Sequence, residues 1–182
     1  MDIARFLCVA ARTAPKARGI DDLESLVLTG TEKEALADEM ERMGKEADAA
    51  FFVRDAGNMR QADLVILLGV TNIRRGVPNC GFCGYADCAA NKAAQGLCSL
   101  SVTDLGIAVG SAVSKAADLR ADNRILFTAG KAAMSLGLFN DQIKARASES
   151  DKDNPQGTKE VVVAYGIPLN VAGKNPFFDR AK

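Results

Sequence analysis

Residues Ala62 to Val70, ADLVILLGV, form an apolar run with no polar side chain after Asp63. Such a run predicts a central strand rather than an edge strand. The next segment, Asn72 to Cys98, carries four of the chain's five cysteines. Any fold must therefore hold a buried strand and, directly after it, a cysteine-bearing loop.

The flanking pattern supplies the rest. Ile3, Phe6, Leu7, Val9 and Ala10 fall near one face of a helix over Asp2 to Ala14, which Pro15 ends. Leu23 to Leu28 reads as a strand. Thr31, with Glu34 three residues on, predicts a capping box opening a helix over Glu32 to Ala49. Phe51 to Val53 is apolar but unassigned. Beyond the cysteines, Ser101 or Asp104 caps a helix to about Leu119. Asn123 to Phe127 reads as a strand, Lys131 to Leu138 as a short helix, and Ser148 to Thr158 as a polar loop. Glu160 to Tyr165 is the last strand. Gly166 to Lys182 is an extended tail, lying over the surface or over a partner subunit. This order predicts an α+β or mixed α/β layered domain, with helices covering a sheet of about four or five strands. One domain over 1–182 is expected, with 72–98 embedded in it.

Composition removes several functions. The 182 residues carry 23 basic and 23 acidic side chains, so the basic footprint of a nucleic-acid binder is missing. No apolar run reaches the length of a membrane span; Leu105 to Val113 comes nearest. Met1 to Arg5 lacks the start of a signal peptide. A cytoplasmic protein is expected, with no nucleic-acid or membrane partner. There is no histidine, which excludes Ser-His-Asp and Cys-His catalysis and every histidine-ligated metal.

Clustered cysteines in a reducing compartment point to metal before disulfides. Cys80, Cys83, Cys88 and Cys98 are spaced C-x2-C-x4-C-x9-C. Two cysteines separated by two residues can occupy adjacent corners of one cluster. Gly81 and Gly84 let the backbone approach and turn N–H groups toward sulfur. Asp87 caps a helix over Cys88 to Gln95, which places Cys88 in its first turn, where the dipole favours a thiolate. Gly96 then ends that helix and swings Cys98 back. Four thiolates on an oxidised [4Fe–4S] core leave about −2 charge. Arg74, Arg75 and Lys92 either offset it or, the reading slightly preferred, are solvated. A four-cysteine zinc site is the main rival, although zinc ribbons pair two C-x2-C knuckles and only one is present. Cys8 reads as a small buried hydrophobe.

Pro78 to Cys98 resembles the four-cysteine [4Fe–4S] module of corrinoid iron–sulfur proteins and of electron-transport complexes in anaerobes. The module runs asparagine, CGxCG, a third cysteine, an alanine-rich helix and a last cysteine. The whole chain resembles the uncharacterised family of ferredoxin-domain-containing proteins of anaerobic bacteria and archaea. The likeness rests on Ala10 to Gly19, Phe52 to Asp55, the cysteine segment, Asp122 to Arg124 and Gly173 to Arg180. It implies a cofactor and no assigned reaction. A fainter likeness is to the flavin-dependent nitroreductases. It is carried by Ala11 to Pro15, by Leu105 to Ala117 as a long small-residue helix, and by Val161 to Pro168 as a final strand with a G-x-P turn. It implies a three-layer α+β domain with a mixed sheet, into which the iron–sulfur loop is inserted, and a homodimer. The flavin phosphate motif of that family is absent, and Lys16 to Ile20 replace its Ser-x-x-Asn-x-Gln stretch.

Arg12, Lys16 and Arg18 form a basic turn beside Pro15, joined by Arg180 in the tail. Read functionally, these residues bind FMN or another anion; read blandly, they are solvated or ion-paired. Gly106 and Gly110 permit close helix packing, at a subunit interface or in the core. Gly130-Lys131 lacks the rest of a phosphate loop and is rejected as one. The functions expected are therefore three. The first is a [4Fe–4S] redox protein serving a partner protein or a small substrate. The second is a structural iron–sulfur or zinc module for interaction or sensing. The third is an FMN-dependent oxidoreductase. Whether the chain is itself an enzyme is left open, with oxidoreductase as the class.

Overall fold

The computed structural model describes residues 2–143 and 160–178. Helix α1, Asp2–Thr13, leads through a short 3-10 turn at Ala17–Gly19 to strand β1, Leu23–Leu28. Helices α2, Gly30–Glu46, and α3, Ala50–Gln61, precede β2, Leu64–Val70. After the cysteine loop come α4, Cys88–Ala93, and α5, Ser99–Asp118. The remaining elements are β3, Asp122–Asn123, α6, Phe127–Ser135, and β4, Val163–Asn170. One sheet forms in the order β1-β2-β4-β3.

β2 is buried along its whole length because it serves two cores. Leu64, Ile66, Leu68 and Val70 meet Ala4, Leu7 and Ala11 of α1 and Leu105, Ala108 and Ala112 of α5. Val65 and Leu67 face the other way, onto Leu36 and Met40 of α2, Met59 of α3, and Ala129 and Ala133 of α6. Successive strand residues point to opposite faces, so a strand between two helical layers must be apolar at both parities. The layers are thus α1 and α5, the sheet, and α2, α3 and α6.

Strand direction departs from expectation. Each pairing among the described residues is antiparallel, whereas a mixed sheet is what the likeness to nitroreductases implies. The reason is α3. One helix between β1 and β2 returns the chain parallel, and a second reverses it again. Phe51 to Val53, left unassigned from the sequence, open this second helix.

Other boundaries also move. α2 begins after Thr29, whose side chain makes no capping bond. Thr31 lies inside the first turn, and Glu34 pairs with Lys33 Nζ at 2.8 Å instead of closing a capping box. Of the strand expected at Asn123 to Phe127, Asn123 belongs to β3, Leu126 makes a single bridge to Gly166, and Phe127 starts α6. Gly130 sits within α6, where a Cβ would lie 1.8 Å from the Ala164 carbonyl oxygen. Its role is close approach of helix to strand. In the tail, Asn175 donates to Asp122 at 2.9 Å and Arg124 donates to the Phe177 carbonyl at 3.0 Å. Ser148 to Thr158 and Arg180 lie outside the described residues. Among the described helices none is long and apolar enough to cross a membrane.

Candidate metal centre

The chain leaves the C-terminal end of the interior strand β2 directly into the cysteine loop. Cys80, Cys83, Cys88 and Cys98 line one cavity of about 80 Å³, open to solvent on one side. Cys98 is buried, the other three are half-buried, and all are free thiols. Asn79, Gly81 and Gly84 take left-handed backbone conformations, with φ of 56°, 59° and 81°. The Gly84 N–H donates to the Gly81 carbonyl at 2.9 Å, closing a tight turn, and is not turned toward sulfur as expected of it. Among the described residues no three cysteine or carboxylate side chains crowd onto a point fit for one ion.

Asp87 accepts the Ala90 N–H at 2.8 Å and caps α4, as the sequence indicates. That helix stops at Ala93, and Gln95, with φ 54°, takes the left-handed turn expected at Gly96. Gly96 is needed for room: a Cβ there would sit 2.8 Å from both Asn91 Nδ2 and the Tyr85 ring.

The approach to Cys98 is held by side chains from outside it. Asn72 Oδ1 accepts the Cys98 N–H at 2.7 Å, while Asn72 Nδ2 donates to the Gly96 carbonyl at 3.2 Å. Asn91 Nδ2 donates to the Leu97 carbonyl at 2.9 Å. Arg74 donates to Asn91 Oδ1 at 2.7 Å and to the Gly96 carbonyl at 3.0 Å. At the other side of the cavity, Ser99 Oγ donates to the Phe82 carbonyl at 3.1 Å.

Beneath the loop lies a charged cluster. The Arg75 side chain is fully buried and bonds Asp22 Oδ1 and Asp104 Oδ2, each at 2.7 Å. Both sequence readings of Arg75, solvated or facing the cluster, are replaced. Asp22 also accepts from Ser101 Oγ at 2.6 Å and from the Ile73 N–H at 3.2 Å. Asp104 accepts the Ala17 N–H. Ser101 and Asp104 therefore do not cap α5, which begins at Ser99. Burial alone opposes charge on Arg75, but hydrogen bonds and charge from Asp22 and Asp104 prevail and raise its pKa. Two carboxylates and one guanidinium tie together the 3-10 turn, the start of β1, the loop after β2 and the first turns of α5.

The basic turn is used locally. Arg12 donates to Asp21 at 2.9 Å and to the Leu23 carbonyl at 2.6 Å. Lys16 donates to the carbonyls of Arg12 and Ala14. Arg18 reaches the cysteine loop instead, donating to the Arg75 and Gly76 carbonyls at 2.8 and 3.3 Å. Burial pushes the Asp21 carboxyl up, and the hydrogen bond and charge of Arg12 more than reverse this, leaving it below the usual carboxylate range. Arg12, Lys16 and Arg18 do not converge on one point.

A family model described as "uncharacterized protein containing a ferredoxin domain (DUF2148)" matches residues 94–146 and 155–180, a stretch that holds Cys98. An uncharacterised protein of Archaeoglobus fulgidus is 36% identical over 186 residues, covering 98% of this chain and 90% of that protein. The chain belongs to this ferredoxin-domain family. Its fold is the α+β nitroreductase fold. A nitroreductase with bound FMN from Desulfitobacterium hafniense superposes with a TM-score of 0.57 at 16% identity, over 95% of this chain and 78% of that one. A BluB-like flavoprotein from Clostridium difficile gives 0.55 at 14% identity, over 96% and 81%.

For this ferredoxin-domain protein, sequence reasoning named the four thiols and missed their supports. Asp22, Asn72, Asn91 and Asp104 follow no motif spacing. Asn72 does stand two residues past the end of the fully buried strand β2, where a buried polar residue needs a partner.

Proposed function

We propose that this protein is an iron–sulfur redox protein in which Cys80, Cys83, Cys88 and Cys98 hold a [4Fe–4S] cluster. One observation carries the reading: four thiols, separated by up to 18 positions in the sequence, line a single cavity. Zinc draws its sulfurs to about 2.3 Å of one point. A cavity between the thiols suits a multi-iron core better. When bound, such a cluster supplies one-electron transfer at a potential set by its surroundings. The chain's own residues wrap the backbone around it, fix Cys98, and leave the Cys80–Cys83 side exposed to a redox partner or small substrate. The family's description as ferredoxin-domain proteins and the redox character of the structural neighbours support this reading. We place the site in 72–98 within one domain over 1–182, in a cytoplasmic protein.

A homodimer accompanies the proposal. Phe6 and Val9 on α1 and Ile107 on α5 are exposed, and Gly106 and Gly110 lie on the same open side of α5 with no heavy atom near a built Cβ. A second copy would cover that face.

The second reading, FMN binding, has a specific motive in the flavin-bound nitroreductase that shares the fold. Against it, Arg12 and Lys16 are spent on local partners.

An absorbance spectrum of anaerobically purified protein separates these readings. A broad iron–sulfur band bleached by dithionite supports the cluster. Flavin absorbance without iron transfers the proposal to FMN, and a colourless protein that holds zinc through the four cysteines makes the metal structural.

A further inference from the structure

We infer that Asn72 and Asn91 are positioning residues that preset Cys98 before any metal arrives. The inference rests on the cluster reading and adds an order to the site: Cys98 is fixed first, while Cys80 and Cys83 lie in the loop. The cysteines fall inside a loop that Asn72 closes at its base. Its amide pairs with the Cys98 N–H and the Gly96 carbonyl together, as a neighbouring strand would, although no strand is there. Asn72 is 3% exposed, with a left-handed φ of 62°. Asparagine is among the few residues that accept that conformation, and its amide carries both the donor and the acceptor the site uses. Asn91, 1% exposed, holds the Leu97 carbonyl and is itself oriented by Arg74.

With those contacts made, the Gly96 and Leu97 carbonyls and the Cys98 N–H are satisfied within the protein. The Cys98 carbonyl accepts the Val102 N–H, the first turn of α5. Cys98 is thus the ligand joined to rigid structure on both sides. Cys80 and Cys83 sit in the half-exposed loop, and half-exposed Cys88 opens α4. Partners that orient a metal ligand are commonly worth ~10- to 100-fold in metal affinity when removed.

The test uses the full chain, first without metal. In the apo-protein, pulse labelling with iodoacetamide and mass spectrometry should show Cys98 reacting slowest of the four loop cysteines. In Asn72→Ala, and in Asn91→Ala as an independent variant, Cys98 labelling should rise at least several-fold, toward the rate of Cys88. Labelling at Cys80 and Cys83 should stay unchanged, and circular dichroism should remain that of the parent. After anaerobic reconstitution with iron and sulfide, a chelator should remove iron ~10- to 100-fold faster from either variant. Unchanged Cys98 labelling in both folded variants overturns the positioning role. If a variant does not fold, the other decides; if neither folds, rapid Cys98 labelling in the parent apo-protein overturns the role. A parent that takes up no iron overturns the cluster reading, while the labelling result still judges the clamp.

Discussion

Arg75 grips one oxygen of Asp104 with two nitrogens, Nε at 3.0 Å and Nη2 at 2.7 Å. The second of these nitrogens also serves Asp22, so one buried cation is shared by two carboxylates. The cluster carries one more negative than positive charge. Removing either aspartate leaves a matched pair, whereas removing Arg75 leaves two facing carboxylates. Arg75→Met should therefore cost about 3–5 kcal/mol in chemical denaturation. Asp22→Asn should cost less, about 1–3 kcal/mol. Equal losses for the two variants would contradict the shared-cation account.

Cys8 is the internal control for the cysteines. It lies in α1 against the sheet, and burial, only partly offset by Arg12, raises its thiol pKa. Cys8→Ala should leave the iron content of reconstituted protein unchanged. Alanine at Cys80, Cys83, Cys88 or Cys98 should lower it. Iron lost equally from Cys8→Ala would show uptake unrelated to the cavity.

Gly130 tests the layering. A Cβ at this position meets the backbone of β4, Ala164 oxygen at 1.8 Å and carbon at 2.2 Å, and backbone cannot swing aside as a side chain can. Gly130→Ala should lose at least about 1–3 kcal/mol by overpacking, read as a lower thermal midpoint. Gly57→Ala in α3, open on its face, should instead hold or slightly gain stability in the helix.

Acid stability has a local component in α2. Hydrogen bonding to Arg42, with further help from Ser135, pulls the Glu39 pKa from 4.5 to about 2. A carboxylate with a depressed folded pKa stabilises above its unfolded value, and that contribution is lost as pH falls through its folded value. The loss here should run from about pH 4.5 down to about 2. Arg42 faces solvent, so the pair contributes no more than about 1 kcal/mol. Glu39→Gln should flatten this part of a stability-versus-pH curve; an unchanged slope would show that the pair contributes nothing.

Where hydrophobic period and local chemistry agree, the sequence is legible. β2, α1, β1 and the long helix α5 follow from apolar runs, and the Asp87 cap follows from the chemistry of its short side chain. Legibility fails where tertiary contacts decide. α3 holds Asp55, which accepts from Thr128 on α6 at 3.0 Å, and its apolar positions serve the lower core, so its period is weak. Its absence from the sequence reading hid the reversal that makes β1 antiparallel to β2. Ser101 and Asp104 look like helix caps because their residue types favour caps; their partners, Asp22 and Arg75, lie far away in sequence. The thiol spacing picks out the four cysteines proposed to bind, and the hydrogen bonds of Asn72 to the Cys98 segment become visible only in three dimensions.

The central claim is that four thiols around one cavity hold a redox-active cluster. Electron paramagnetic resonance of the anaerobically reconstituted, dithionite-reduced protein, read beside its iron content, tests it most directly. The account predicts about four iron atoms per chain and the signal of a reduced [4Fe–4S] centre, both lost in Cys83→Ala. A folded protein that binds no iron, or binds iron with no reducible signal, would contradict it.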